Sequence, residues 1–266
     1  MNPYKQKVAA FYNSRRNYDN DDTRDRALRH FDFVSLQPGH SVLDVATGTG
    51  NISIRAAEIV LSNGCVIGID IATDLLEIAR QKIQDKALTN VQLIEIDAEE
   101  FTATDQQFDA IFCSYAIVLF ADIPAILEKW YRWLKPGGFI TFTSFGEDTF
   151  LTPIKVEACD RYGVTLPNLH FPLGTPDRCE HLLRQTGFHR VEVHPEQRGS
   201  YLTLDQAKNR WDARFWLHPD DPLRSLDAET VRQIKAAYDA ALDSLATDQG
   251  VWDEDMTFYV IAYKPN

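Results

Sequence analysis

Val42-Leu43-Asp44-Val45-Ala46-Thr47-Gly48-Thr49-Gly50-Asn51 reads as a buried strand running into a glycine-rich turn. The apolar run from Ser41 to Val45 predicts the strand, and a helix is expected from about Ile52. Gly48 and Gly50 permit a tight turn and a close approach of backbone to ligand, which side chains would block. Asp44, at the strand's end, sets this turn apart. A carboxylate in a partly dry site repels a pyrophosphate, whereas it attracts a ligand with a cationic end. The dinucleotide pattern G-x-G-x-x-G also fails, because its third glycine would fall on Ser53.

Further strand ends follow at nucleoside-site spacings. Cys65-Val66-Ile67-Gly68-Ile69-Asp70 is a short apolar strand ending in an acid, placed to accept both hydroxyls of a ribose. Asp70 could instead cap the next helix, but Asp74 suits that role better by position. Val91 to Ile96 predicts a third strand ending in Asp97-Ala98-Glu99. There an acid can accept from an adenine amino group while the Ala98 N–H meets a ring nitrogen; a solvated acidic loop is the alternative. The fourth strand, Phe108 to Cys113, breaks at Ser114-Tyr115, where a reacting group would lie. S-adenosylmethionine (SAM), which has an ammonium, a sulfonium and no phosphate, meets these requirements together.

These motifs resemble those of the class I SAM-dependent methyltransferases, and within them the ubiquinone/menaquinone-biosynthesis (methyltransferase type 11) branch. The resemblance rests on VLDVATGTG (42–50), GIDIATDLLEIAR (68–80), DAEEF (97–101), FDAIFCSYAIVLFADIPAILEKWYRWLKPGG (108–138) and FITFTSF (139–145), and spans roughly residues 12 to 195. It implies a seven-stranded, mostly parallel Rossmann-like α/β sheet with helices on both faces. It also implies SAM as cofactor, with S-adenosylhomocysteine (SAH) as product. The acceptor is left open, because the branch serves amines, hydroxyls, carboxylates and carbon. A long segment between about 196 and 255 departs from the quinone enzymes.

Composition agrees with such a fold. The 266 residues suit one large α/β domain with an embellishment. With 27 basic and 39 acidic residues the net charge is −12, and no Lys/Arg run exceeds two, so no nucleic-acid partner is expected. Cys65, Cys113, Cys159 and Cys179 are widely spaced and form no C-x-x-C pair. Neither a disulfide framework nor a metal site is expected, and a reducing cytoplasm fits. No stretch has the look of a signal peptide or a membrane span. Self-association is compatible with all of this.

Strand and helix alternate along the chain. Helices are expected at 3–16, 23–36, 52–61, 74–87, 123–133, 153–162, 177–186, 203–217 and 227–246. Lys135-Pro136-Gly137-Gly138 predicts a helix stop and turn before a fifth strand, Phe139 to Thr143. Arg190 to His194 and Thr257 to Tyr263 predict the sixth and seventh. Within a single domain over 1–266, residues 1–36 read as a helical lid and 37–145 as the SAM-binding core. Residues 146–176 and 196–255 read as acceptor-side insertions after strands five and six. Tyr131 and Lys135 have the Tyr-x-x-x-Lys spacing of short-chain dehydrogenases, but that family's glycine motif is missing.

Methyl transfer is an in-line displacement that chiefly requires alignment and exclusion of water. A general base is needed only for a protonated acceptor. Asp44, Ala46, Thr47, Gly48, Gly50, Asp70, Ile71, Asp97, Ala98 and Ser114 are the candidate SAM contacts. Tyr18 resembles a lid position covering the methionine end, or else packs a loop. His170 is a candidate base on the acceptor side, with a surface or structural role as the alternative. His30 reads as packing; Glu147 could orient an amine, with a solvated or capping role as the favoured alternative. Tyr115, Trp211 and Phe215 are candidate acceptor contacts. Trp211 and Phe215 share a helical face, with Arg210 and Arg214 beside them as a basic rim. A lid helix packing on the domain is the competing reading of that face. The expected activity is methyl transfer to a small, apolar or aromatic acceptor. A SAM-binding module without turnover and an NAD-dependent oxidoreductase are the alternatives.

Overall fold

A computed structural model describes residues 2–211 and 217–266. The helices are α1 (Pro3–Asn13), α2 (Asp21–Leu28), α3 (Asn51–Val60), α4 (Thr73–Asp85), α5 (Ile123–Trp133), α6 (Thr152–Asp160), α7 (Pro176–Thr186), α8 (Leu204–Asn209) and α9 (Ala228–Leu245). The strands are β1 (Ser41–Val45), β2 (Cys65–Asp70), β3 (Val91–Glu95), β4 (Phe108–Cys113), β5 (Leu134–Phe145), β6 (Arg190–Gln197), β7 (Ser200–Leu202), β8 (Val251–Asp253) and β9 (Met256–Tyr263).

Seven strands form one sheet in the order β3-β2-β1-β4-β5-β9-β6, matching the expected α/β architecture. The pairings from β3 through β5 are parallel. The chain steps outward from β1 to β3, then returns to the other side of β1 with β4. This reversal opens a crevice beyond the strands' carboxyl ends, where open α/β sheets bind ligands. β7 and β8 pair antiparallel as a separate two-stranded sheet.

Packing explains the strands' apolar character. Val42, Leu43 and Val45 of β1 are fully buried, and β4 is as dry at Phe108, Ala110 and Phe112. One core cluster joins Val42, Val66, Ala110 and Phe112 to Ile52, Ala56 and Val60 of α3. Gly68 makes that approach possible: a Cβ there would stand 2.8 Å from Ser53 Oγ and from Leu93 Cδ2.

The chain forms two compact units. The first comprises 1–143, 179–194 and 259–266; the second comprises 144–178 and 195–258. The second unit holds its own apolar cluster, in which Ile234, Tyr238 and Leu242 of α9 meet Cys159, Leu166 and Ala207. Its two segments overlap the stretches read as insertions.

Several local expectations are corrected. Helix α5 does stop at Trp133, but Lys135-Pro136-Gly137-Gly138 lies inside β5. Pairing moves from Phe108↔Leu134 to Ala110↔Phe139, so β5 bulges and Gly137 takes φ +75° at the bulge. The N-terminal helices are shorter than expected, with a 3-10 turn over Arg29–Asp32. Ala72, not Asp74, is the N-cap of α4 and makes no side-chain capping bond. The helix expected over 203–217 begins with a capping box between Thr203 and Gln206 but ends at Asn209. Trp211 lies beyond it, while Arg214 and Phe215 lie outside the described residues.

Candidate active site

The four strand ends converge. Ala46 and Gly48 follow β1, Asp70 and Ile71 end β2, Asp97 and Ala98 follow β3, and Ser114 and Tyr115 follow β4; all line one cavity. It holds about 600 Å³ of space, open in part to solvent. Its remaining walls come from Ile69, Leu75, Ile96, Ala116, Leu119 and Phe120, and from Lys5, Val8, Tyr12 and Tyr18 of the N-terminal segment.

Asp70 is the buried carboxylate on the cavity wall that the glycine turn holds. Its Oδ2 accepts from the Gly48 N–H at 2.7 Å and its Oδ1 from the Ala72 N–H at 2.7 Å. These bonds bind the glycine turn to the end of β2. The carboxylate is 9% exposed, and burial raises its pKa against the pull of those N–H donors. Among the described residues no cation pairs with it. A buried carboxylate that accepts from backbone N–H groups and has no paired cation beside a cavity fits a ligand bringing neutral hydroxyl donors.

Asp44 has a different place. Its Oδ2 accepts from Thr47 Oγ1 at 2.6 Å, the Ser53 N–H at 3.0 Å and Ser53 Oγ at 2.7 Å. It staples the turn to the first turn of α3. Asp44, Thr47 and Gly50 are not among the cavity's lining residues. Burial pushes the Asp44 carboxyl up to about 6 despite those bonds. Gly48 (φ +54°) does line the cavity, and a Cβ there would meet Tyr18 Cε1 at 3.5 Å.

Tyr18 lies at the cavity with its ring edge-on to Tyr12, centroids 5.7 Å apart, and the Arg15 guanidinium 5.1 Å from its centre. Burial, then Asp70, raises its phenol pKa. Next door, Asp19 ties the segment down: Thr49 Oγ1 donates to Asp19 Oδ1 at 2.8 Å, and Lys82 Nζ bridges Asp19 and Asn51 at 3.0 and 2.8 Å. After β3, Asp97 Oδ1 accepts from the Glu99 N–H at 3.0 Å. Lys5, 4% exposed, pairs with Asp97 at 3.7 Å and with Glu99.

Lys5, Val8 and Tyr12 were not among the residues singled out from the sequence. Their i, i+3, i+7 spacing on α1 was the available signal, since it puts them on one face.

His170 and Trp211 belong to the second unit. His170 is packed against Phe145 and Phe150, its Nδ1 is buried without a partner among the described residues, and burial followed by Lys155 lowers its pKa to about 4. Trp211 packs on Tyr238 with centroids 5.4 Å apart and joins that unit's apolar cluster. Glu147 forms an ion pair with Arg178 at 2.6 Å. Phe215 lies outside the described residues. His30 is fully buried, its Nδ1 is 2.7 Å from Thr141 Oγ1, and burial lowers its pKa to about 3. Among the described residues no cluster of His, Cys, Asp or Glu could hold a metal ion, and no helix is long and apolar enough to cross a membrane.

Comparison with known proteins agrees with this geometry. A family model described as a methyltransferase domain matches residues 36–194. The demethylmenaquinone methyltransferase of Symbiobacterium thermophilum is 31% identical over 188 residues, covering 60% of this chain and 73% of that protein. The enzyme of the same description from Oceanobacillus iheyensis is 34% identical over 118 residues, covering 44% of this chain and only 50% of its own length. A solved structure from Bacillus halodurans shares the fold at a TM-score of 0.62 and 20% identity, over 91% of this chain and all of that one. The chain belongs to the class I SAM-dependent methyltransferases, in the ubiquinone/menaquinone branch.

Proposed function

We propose that this chain transfers the methyl group of SAM to a small-molecule acceptor that is mainly apolar or aromatic. The observation that carries the reading is the convergence of four successive strand ends on one cavity, with the buried Asp70 carboxylate on its wall. In this reading Asp70 accepts from the ribose hydroxyls, with Ile71 beside it. Asp97 and the Ala98 N–H receive the adenine edge, and the 46–50 turn with Ser114 receives the methionine end. Tyr18 covers that end and excludes water. Asp44 acts through the turn it staples, and its negative charge favours a cationic ligand nearby. When bound, SAM supplies an electrophilic methyl group. Tyr115 meets the acceptor, and the relatives' names support a quinone-like ring as one acceptor to try.

Thermal unfolding and turnover test this together. SAM at a hundred times its dissociation constant adds roughly 2.7 kcal/mol of stability, whereas NAD should add none. Incubation with SAM and a metabolite extract should release SAH and add a methyl mass to one component. A SAM shift without SAH release would leave a binding module. A NAD shift in place of a SAM shift would overturn the reading.

A further inference from the structure

The segment between α1 and α2 is bonded to the glycine turn from outside the cavity. Thr49, 2% exposed, donates from Oγ1 to Asp19 Oδ1 at 2.8 Å. Lys82 of α4 donates from Nζ to the same oxygen at 3.0 Å and to Asn51 Oδ1 at 2.8 Å. Asn51 donates from Nδ2 back to Thr49 Oγ1 at 3.4 Å, which closes the ring of bonds. None of these four residues lines the cavity; Asp19, Asn51 and Lys82 line a separate polar cleft instead.

Tyr18, the residue before Asp19, does line the cavity. Its N–H donates to the Arg15 carbonyl oxygen at 3.1 Å, and its own carbonyl accepts from Thr23 Oγ1 at 2.6 Å. Its ring lies beside Gly48, where a Cβ would come within 3.5 Å of Tyr18 Cε1. The two bonds on Asp19 differ in strength. The Lys82 and Asp19 side chains are 28% and 34% exposed, and an ion pair so open to water stabilises little. The Thr49 hydroxyl is buried, and its bond to a carboxylate is charge-assisted. Thr49 therefore carries most of the hold on Asp19.

We propose that Asp19 is a positioning residue: bonded to Thr49, it holds Tyr18 against the glycine turn and so sets the chain's grip on the methionine end of the cofactor. This rests on the methyltransferase reading above, in which Tyr18 covers that end, and it assigns the cover's anchor. The nucleoside end belongs to Asp70 and Asp97 in that reading, and Asp19 bonds to neither. Loosening Asp19 therefore frees the amino-acid arm of a bound cofactor and leaves the adenosine held.

The test compares SAH with 5′-methylthioadenosine, which keeps the nucleoside and sulfur and lacks the amino-acid arm, with affinities from calorimetry. The wild type should bind SAH at least about tenfold more tightly. Thr49→Val keeps the side chain's shape and removes the donor; SAH should weaken by about tenfold while methylthioadenosine stays within about twofold. Thr49→Ser restores the hydroxyl and should recover the wild-type ratio. Asp19→Ala should match Thr49→Val, and serves if that variant does not fold. In a Tyr18→Ala background Asp19→Ala should weaken SAH no further, because its effect runs through that ring. Equal loss of both ligands would make the bonds a brace of the turn alone and overturns the proposal. So does an unchanged SAH affinity, a full Asp19→Ala loss without the Tyr18 ring, or a wild type that binds both ligands equally. A wild type that binds neither would instead sink the underlying methyltransferase reading.

Discussion

At the scale of single residues, two acids at neighbouring strand ends have different duties. Asp70 faces the cavity, while Asp44 secures the turn. Asp70→Ala should weaken SAM binding by about 10- to 100-fold in calorimetry, the scale of a lost hydrogen bond to a charged group. An unchanged affinity would remove the ribose assignment. Two buried groups also give opposite pH dependences. His30 has a folded pKa of about 3, below its ordinary 6.5, so its stabilising effect is complete above pH 6.5 and is lost as pH falls. Asp44 is raised from 3.8 to about 6, so its contribution is complete below pH 3.8 and is lost as pH rises through 6. Each slope is at most about 1.4 kcal/mol per pH unit. Chemical denaturation from pH 4 to 8 should show a shallower acid loss in His30→Phe and a steeper one in Asp44→Asn. The glycine turn and Asp70 were legible because an apolar strand ending in an acid at that spacing has few other uses. Asp44's partners were not, because the Thr47 and Ser53 hydroxyls face it only once α3 has packed.

At the scale of elements, α1 is the part of the site that sequence motifs do not mark. It carries Lys5, Val8 and Tyr12 to the cavity, and its Asn13 side chain accepts from the Asp74 N–H at 3.2 Å, at the start of α4. Val8→Pro should break α1 at a local cost of about 3 kcal/mol. Circular dichroism should then show a small loss of helix, and calorimetry a weaker SAM affinity, with the sheet still folded. Full SAM affinity in a variant lacking this helix would show that α1 does no work at the site. Strands β1 to β4 could be read from their apolar runs and acid ends. The β5 bulge could not, since a Pro-Gly-Gly stretch reads as a turn and only pairing with β4 reveals it. β7 and β8, three residues each, are too short to leave a periodic signal. The helix over Leu204–Asn209 was overextended because Trp211 carries on the apolar pattern after the helix has ended.

At the scale of the whole molecule, the sheet order and the net charge of −12 point the same way. The cavity lies at the carboxyl ends of the parallel strands β1 to β4, and no Lys/Arg run in the chain exceeds two, whereas phosphate backbones require basic stripes. The protein should pass through heparin resin unretained at about 50 mM salt, a condition under which phosphate-binding proteins hold tightly. Retention would reopen a nucleic-acid acceptor. The sheet order has a further consequence, for the protein's birth on the ribosome. β9 is the last strand in chain order, yet it lies between β5 and β6. While the polypeptide is being made, both neighbours emerge before the strand that separates them, and each waits with an unpaired edge of the kind that recruits other chains. A nascent chain stalled before Met256 should therefore pellet on release, whereas the full-length chain stays in solution. Every residue lining the cavity would already have been synthesised.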